Sequence, residues 1–197
     1  MPELQWVSED VFLVREFLSP HECAHWIATA EAIGFEAASI STRSGPEMRP
    51  DIRNNRRVIY DAPELAEALW PRLRQFVPLR RGEWHAVGLN ERFRFYKYEV
   101  GQQFEWHHDG LFKRENGERN FFTLLLYLNQ DDVGGETSFA EHSAVPQLPG
   151  GQVRPETGMA LLFRRQMLHK GETVASGCKY VLRSDVMYQV SGVEENL

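Results

Sequence analysis

The sequence lacks any long apolar run. The longest, FFTLLLYL from Phe121 to Leu128, is far too short to span a bilayer. The opening MPELQWVSED has no charged-then-apolar leader pattern. No membrane partner is therefore expected. Cysteine is scarce: Cys23 and Cys178 lie far apart and match no metal or redox spacing. They read as buried thiols in a reducing cytoplasm. Basic charge is in deficit, with 22 Lys and Arg against 28 Asp and Glu and a net charge of -6. That removes the whole-molecule positive field expected of a nucleic-acid binder. Internal repeats, low-complexity tracts and linkers are missing too, so the 197 residues read as one domain, 1–197.

What the chain does have is material for a core: 42% apolar and 12% aromatic residues. VFLVREFLSPHECAHWIATAEAIGF reads as a strand running into a helix. Ser19 suits the N-cap, Pro20 the first helical position, and Glu22 closes a capping box. Cys23, Trp26, Ile27 and Ala30 recur at helical spacing, and Gly34 is a stop. A strand-like stretch follows from Phe35 to Ile40. A second helix is expected over DAPELAEALWPRLRQFV, capped by Asp61 with Glu64 closing the box, and bent or divided at Pro71. Between them, residues 41–57 are polar, interrupted by Gly45, Pro46 and Pro50, and locally basic through Arg43, Arg49, Arg53, Arg56 and Arg57. This segment reads as a solvated loop, with a substrate-facing role as the alternative.

Beyond it the character changes. RFRFYKYEV, QFEWHHD, FFTLLLYLN, GETSF, MALLFRR and KYVLRSDVMYQV alternate with glycine-containing turns. That rhythm predicts a mainly β fold with flanking helices, an antiparallel sandwich or barrel.

The stretch EWHHDG, residues 105–110, poses the functional question. On a strand, His107 and Asp109 share one face and His108 takes the other. His107 and Asp109 can then hold one ion together. An open-sided iron site needs two imidazoles and a carboxylate, so a second histidine must come from elsewhere. The candidates are His21, His25, His85, His142 and His169. His21 and His25 read as surface or helix-packing residues, and His142 lies in a polar loop. His169 follows the apolar run MALLF, at a strand end or turn.

Longer motifs add to this. Tyr98-Glu-Val-Gly101-Gln102-Gln103-Phe104-Glu-Trp-His107-His-Asp109 is followed by Thr123-Leu-Leu-Leu-Tyr127-Leu128-Asn129 and Gly134-Gly135-Glu136-Thr137-Ser-Phe139. Then come Val153-x-Pro155-x-x-Gly158-x-Ala160-Leu-Leu-Phe163 and His169, Val174, Gly177 and Lys179. In this order they resemble the prolyl 4-hydroxylase-like branch of the iron(II)/2-oxoglutarate dioxygenases, over roughly residues 90–190. The resemblance implies a double-stranded β-helix, or jelly roll, with a helix-rich lead-in over about 1–85 and a catalytic core over about 86–192. It implies His107, Asp109 and His169 as iron ligands and Lys179 as the anchor for the distal carboxylate of 2-oxoglutarate. Tyr98 would line the same pocket.

The cofactors implied are Fe(II), 2-oxoglutarate as co-substrate and O2, with ascorbate as an accessory reductant. The implied reaction hydroxylates an unactivated C–H bond and releases succinate and CO2, and the carboxylate of Asp109 points to hydroxylation rather than halogenation. A peptidyl proline or other protein residue is the leading substrate. A free amino acid or small metabolite is the runner-up, and a non-catalytic jelly-roll metal-binding module is the reading from another class. Nucleic-acid demethylation is disfavoured, because the chain is acidic and lacks a paired-arginine ending. One position departs from the pattern: Arg183 stands where that branch more often has a small hydroxyl residue. It could be a second anchor, replace Lys179, or form a structural salt bridge. Trp106, opposite His107, reads as packing. Gly134 and Gly135 suit a turn.

Overall fold

The computed structural model describes residues 1–42, 44–140 and 151–190; Arg43 and His142 lie outside them. Helix α1, Pro20–Ile33, forms as its capping residues dictate. The Ser19 hydroxyl accepts the Glu22 amide at 3.2 Å, and the Glu22 carboxylate accepts the Ser19 amide at 2.7 Å. Gly34, at φ 94°, ends the helix while its amide still reaches the Ala30 carbonyl. Cys23 and Ala30 are buried, and Trp26 and Ile27 pack at the edge of the same core.

Helix α2, Pro63–Leu73, corrects the expectation at its start. Its N-cap is Ala62, without a side-chain cap. Asp61 ends the preceding strand, and its carboxylate takes both Nε and Nη2 of Arg92 at 2.8 and 3.1 Å. Pro71 does not divide the helix, which runs through it to Leu73.

Residues 41–57 are not a simple solvated loop. Ile40–Thr42 pairs with Gly45–Glu47 in a hairpin, and Arg56 and Arg57 open the Arg56–Asp61 strand. Arg53 is 5% exposed. The stretch expected as one strand from Phe35 to Ile40 is split between Glu36–Ala37 and Ile40–Thr42, in different sheets.

The fold is a double-stranded β-helix. Its large sheet runs Glu3–Ser8, Val11–Arg15, Ala160–Arg164, Arg119–Tyr127, Lys179–Val190, Arg92–Tyr98, Arg56–Asp61 and Glu36–Ala37. Trp84–Leu89 joins along the second half of Lys179–Val190. Strands from the first 61 residues thus build both flanks of this sheet. The small sheet orders Phe104–His107, His169–Gly171, Thr137–Phe139 and Gln152–Val153, and all these pairings are antiparallel.

The large sheet is buried on both faces, and strand alternation sorts its side chains. Phe93, Phe95, Leu124, Leu126 and Leu182 face the helices, with Leu69 and Leu73 of α2 in the same cluster. Their neighbours Tyr96, Tyr98, Tyr127 and Val181 face the small sheet, alongside Phe139 and Phe163. Full burial of each such side chain is worth roughly 1.5–3 kcal/mol. Gly134, at φ 80°, lets the Val133–Gly134 strand meet Val174–Ser176, since an added Cβ would lie 2.3 Å from the Thr173 carbonyl.

The capping box yields an acid-stability test. The Arg72 side chain, together with the Ser19 amide and hydroxyl, holds Glu22 at about 2, below the ordinary 4.5. A depressed carboxyl stabilises the fold above about 4.5 and loses that contribution as pH falls towards 2. Glu22→Gln is expected to flatten this part of the stability–pH curve in urea denaturation. Ser19→Ala is expected to cost about 1 kcal/mol at neutral pH.

Candidate metal and co-substrate site

The antiparallel pairing of Phe104–His107 with His169–Gly171 puts His107 directly opposite His169. Their rings lie 4.2 Å apart, and Phe104 stacks on His107 at 3.5 Å between ring centroids. Each histidine is oriented by the backbone carbonyl two residues before it. The Nδ1 of His107 meets the Glu105 carbonyl at 2.7 Å, and that of His169 meets the Met167 carbonyl at 3.0 Å. A carbonyl can only accept, so both Nδ1 atoms carry the proton and both Nε2 lone pairs are free. Burial holds His107 at about 3, aided by His169 and opposed by Asp109; burial also lowers His169. Both imidazoles are therefore neutral at physiological pH, the state a metal ligand requires.

Asp109 reaches the same point by a different route from simple alternation. The strand ends at His107, and Asp109 sits beyond it, its amide tied to the Arg165 carbonyl at 3.0 Å. Its carboxylate is gripped on both oxygens. The Thr123 hydroxyl donates to Oδ2 at 2.5 Å, and Arg183 Nη2 lies 3.0 Å from Oδ1. Burial opposes ionisation here, but Arg183 and the two histidines outweigh it and hold the carboxyl well below the ordinary 3.8. His169 Nε2 lies 3.7 Å from Oδ2, and one ligand atom from each of His107, Asp109 and His169 falls within 4.8 Å of the others. Two neutral imidazoles and a carboxylate at this spacing fit a divalent transition metal with coordination positions left open.

His108 is exposed and turned away, its Nδ1 on the Gln166 carbonyl at 2.7 Å. His21 and His25 are exposed on α1. Trp106 is 43% exposed, so it is not the packing residue expected: the outer face of this strand meets solvent rather than another layer.

The three residues open into a partly enclosed cavity, also lined by Tyr96, Tyr98, Leu125, Thr137, Lys179, Val181 and Arg183. Lys179 is 3% exposed and pairs across strands with Tyr98. Its Nζ donates to the Gly135 carbonyl and lies 5.3 and 5.4 Å from the Tyr98 and Tyr127 rings. Burial lowers it to about 8, against the pull of Asp132, Glu136 and Glu172. Arg183 takes the salt-bridge role of the three open to it. Its partners are Asp109 and Asp185, the latter at 3.3 Å, so it braces the carboxylate expected to hold the metal.

Sequence reasoning missed four residues here. Thr123 was read as a motif position, yet its alternation with Leu125 and Tyr127 already placed it on the cavity face. The Tyr127 and Thr137 hydroxyls pair at 2.7 Å beside Lys179. Asp132 is buried with neither carboxylate oxygen hydrogen-bonded, and no sequence signal marked it.

The profile of the 2OG-Fe(II) oxygenase superfamily matches residues 93–184, which contain all the residues just described from His107 to Lys179 and Arg183. That match takes in a little under half of the chain, and over those residues the chain is similar to this superfamily. It is 30% identical over 171 residues to probable prolyl 4-hydroxylase 8 of Arabidopsis thaliana, covering 77% of this chain and 56% of that protein. Prolyl 4-hydroxylase 1 of the same plant is 27% identical over 203 residues, covering 91% and 69%. The chain thus spans little more than half the length of the first of these relatives. Among solved structures, a prolyl hydroxylase from Trichoplax adhaerens, in complex with a hypoxia inducible factor oxygen degradation domain peptide fragment, superposes with a TM-score of 0.68 at 16% identity. That match covers 90% of this chain and 83% of that chain. A Pseudomonas putida prolyl-4-hydroxylase gives 0.60 at 19% identity, covering 90% and 92%. Such distant likeness concerns the fold, and it is the double-stranded β-helix. Among the described residues, no helix is long and apolar enough to cross a membrane.

The geometry separates the adjacent histidines in a binding experiment. His107→Ala is expected to abolish the thermal shift that Mn(II) or Fe(II) gives the wild type. His108→Ala is expected to retain most of it. Equal loss in both would overturn the assignment of His107.

Proposed function

We propose that this protein is an Fe(II)- and 2-oxoglutarate-dependent hydroxylase acting on a prolyl residue of a peptide or protein substrate. The observation that carries the reading is a single cavity holding a two-histidine, one-carboxylate cluster together with a buried lysine. The two free cysteines and the acidic balance suit a cytoplasmic setting.

In this reading His107 and His169 hold the metal through Nε2, and Asp109 through a carboxylate oxygen. Bound there, iron supplies the redox chemistry that couples O2 reduction to oxidative decarboxylation of the keto acid. The overall balance is R–H, O2 and 2-oxoglutarate giving R–OH, succinate and CO2, with ascorbate as an external reductant for idle enzyme. The protein supplies geometry and exclusion. Thr123 and Arg183 fix the orientation of Asp109. Lys179 offers a desolvated cation to the distal carboxylate of the co-substrate, with Tyr98 beside it as a wall of the same pocket. An acid–lysine contact in such surroundings is stronger than in water, because neither partner is screened. Leu125, Val181 and the buried faces of Tyr96 and Tyr98 keep bulk water from the reacting centre.

The deciding experiment incubates the protein with Fe(II), ascorbate, 2-oxoglutarate and a panel of proline-containing peptides. Succinate release together with a one-oxygen mass gain on a peptide is the expected result; its absence across the panel overturns the reading. Lys179→Ala is expected to raise the 2-oxoglutarate requirement by about tenfold or more, and by more than Arg183→Ala does. The reverse ranking would move the anchor to Arg183. The lysine must be charged to take the dianion. Wild-type affinity for 2-oxoglutarate is therefore expected to fall as pH rises through about 8. In Lys179→Arg that limb is expected to disappear, since a guanidinium stays charged.

A further inference from the structure

Arg53 is a buried cation behind two of the aromatic residues that line the cavity, and among the described residues it has no counterion. Its Nε donates to Asn55 Oδ1 at 2.7 Å and its Nη1 to the Ser39 carbonyl at 3.4 Å, both neutral acceptors. Its Nη2 is buried without any acceptor. It enters no ion pair among the described residues, whereas Arg183 has Asp109 and Asp185. The guanidinium is wedged between two rings that line the cavity, 4.4 Å from the Phe104 centroid and 4.6 Å from that of Tyr96. Phe104 in turn stacks directly on His107. Arg53 therefore stands one aromatic layer from the metal cluster. Arg183, which approaches the Tyr96 hydroxyl at 3.5 Å, also has a buried Nε without an acceptor.

Positive charge is in surplus at this corner. Burial and the neighbouring Arg53 and Arg94 lower the Arg57 guanidinium. Burial pushes the Tyr96 hydroxyl up, yet Arg183, Arg53 and Arg94 together outweigh it and lower it. An enclosed guanidinium with a donor to spare and no anion is costly, and the cost is relieved when a carboxylate arrives. The co-substrate does not fill this role if its distal carboxylate goes to Lys179, which lies four residues along the same strand from Arg183.

We infer that Arg53 is the specificity-determining receptor for a carboxylate on the prime substrate, so that the preferred proline carries an anionic group beside it. This rests on the hydroxylase reading above. The shared chemistry is a carboxylate within reach of the hydroxylated ring, either the α-carboxylate of a free or C-terminal proline or an acidic side chain next to an internal one. The planar fork of arginine suits a carboxylate bidentately, and a neutral amide in its place leaves the donors unmatched.

The test uses the whole protein with Fe(II) and 2-oxoglutarate and three comparisons. These are free proline against prolinamide, a peptide ending in proline as acid against its amide, and an end-blocked peptide with Glu beside an internal proline against the Gln version. At least one acid is expected to show a KM lower than its neutral counterpart by about tenfold or more. The pair that responds identifies the source of the carboxylate. Arg53→Gln is expected to bring that pair to within about twofold, and Arg53→Lys to keep part of the preference. Equal KM in all three wild-type pairs overturns the inference while leaving the hydroxylase reading intact. So does an acid preference that survives in folded Arg53→Gln or is unchanged in Arg53→Lys. Failure to consume 2-oxoglutarate with any substrate overturns the hydroxylase reading, and this inference falls with it.

Discussion

The site depends on one strand pairing. His107 lies opposite His169 because Phe104–His107 and His169–Gly171 run antiparallel in a single register, with an irregularity between Phe104 and His107. Side chains alternate along a strand, so a slip of one residue would send one imidazole to the solvent face occupied by Trp106. The register is held by apolar contacts on the inner face: Phe104 stacks on His107, and Phe163 packs 4.5 Å from His169. The hydrophobic core between the sheets and the placement of the ligands are therefore one structural problem with one solution.

The second constraint is charge. Asp109, Lys179 and Arg183 lie in the same cavity, and a buried charge without compensation is costly. Asp109 is met by Arg183 and Thr123, while Lys179 has Asp132 as the leading opposing charge. These pairings act differently. The Arg183 contact fixes the direction of a carboxylate that must face a metal. Asp132 makes no hydrogen bond through either oxygen among the described residues, so it favours the charged lysine without occupying its donors. Among the described residues Lys179 hydrogen-bonds the Gly135 carbonyl alone, which leaves its ammonium donors for an incoming dianion.

Both constraints converge on the long strand Lys179–Val190. It pairs with Arg92–Tyr98 on one side and Arg119–Tyr127 on the other. That placement sets Lys179 beside Tyr98 and Arg183 across from Leu125, and it brings Thr123 near Asp109. Alternation then splits the strand's work, with Leu182 and Val186 in the helix-facing core and Val181 in the core between the sheets.

Much of this was legible in the chain. The capping box Ser19–Glu22 is a local device that three residues of spacing specify, and it formed as read. The β rhythm after residue 90 and the ordered motifs from Tyr98 to Lys179 marked the fold and the residues now gathered in one cavity. Where local rules competed with long-range partners, reading failed. Asp61 has the chemistry of a helix cap, but Arg92 on the neighbouring strand took its carboxylate. Arg53 has the composition of a solvated loop, but two aromatic rings distant in sequence enclose it. The sequence by itself determined which residue types are present, their periodicity and their local caps, because those depend on neighbours a few positions away. Only the tertiary structure decided which acid each arginine meets and which carboxylate stays unpartnered, because burial and charge pairing are properties of groups brought together from across the chain.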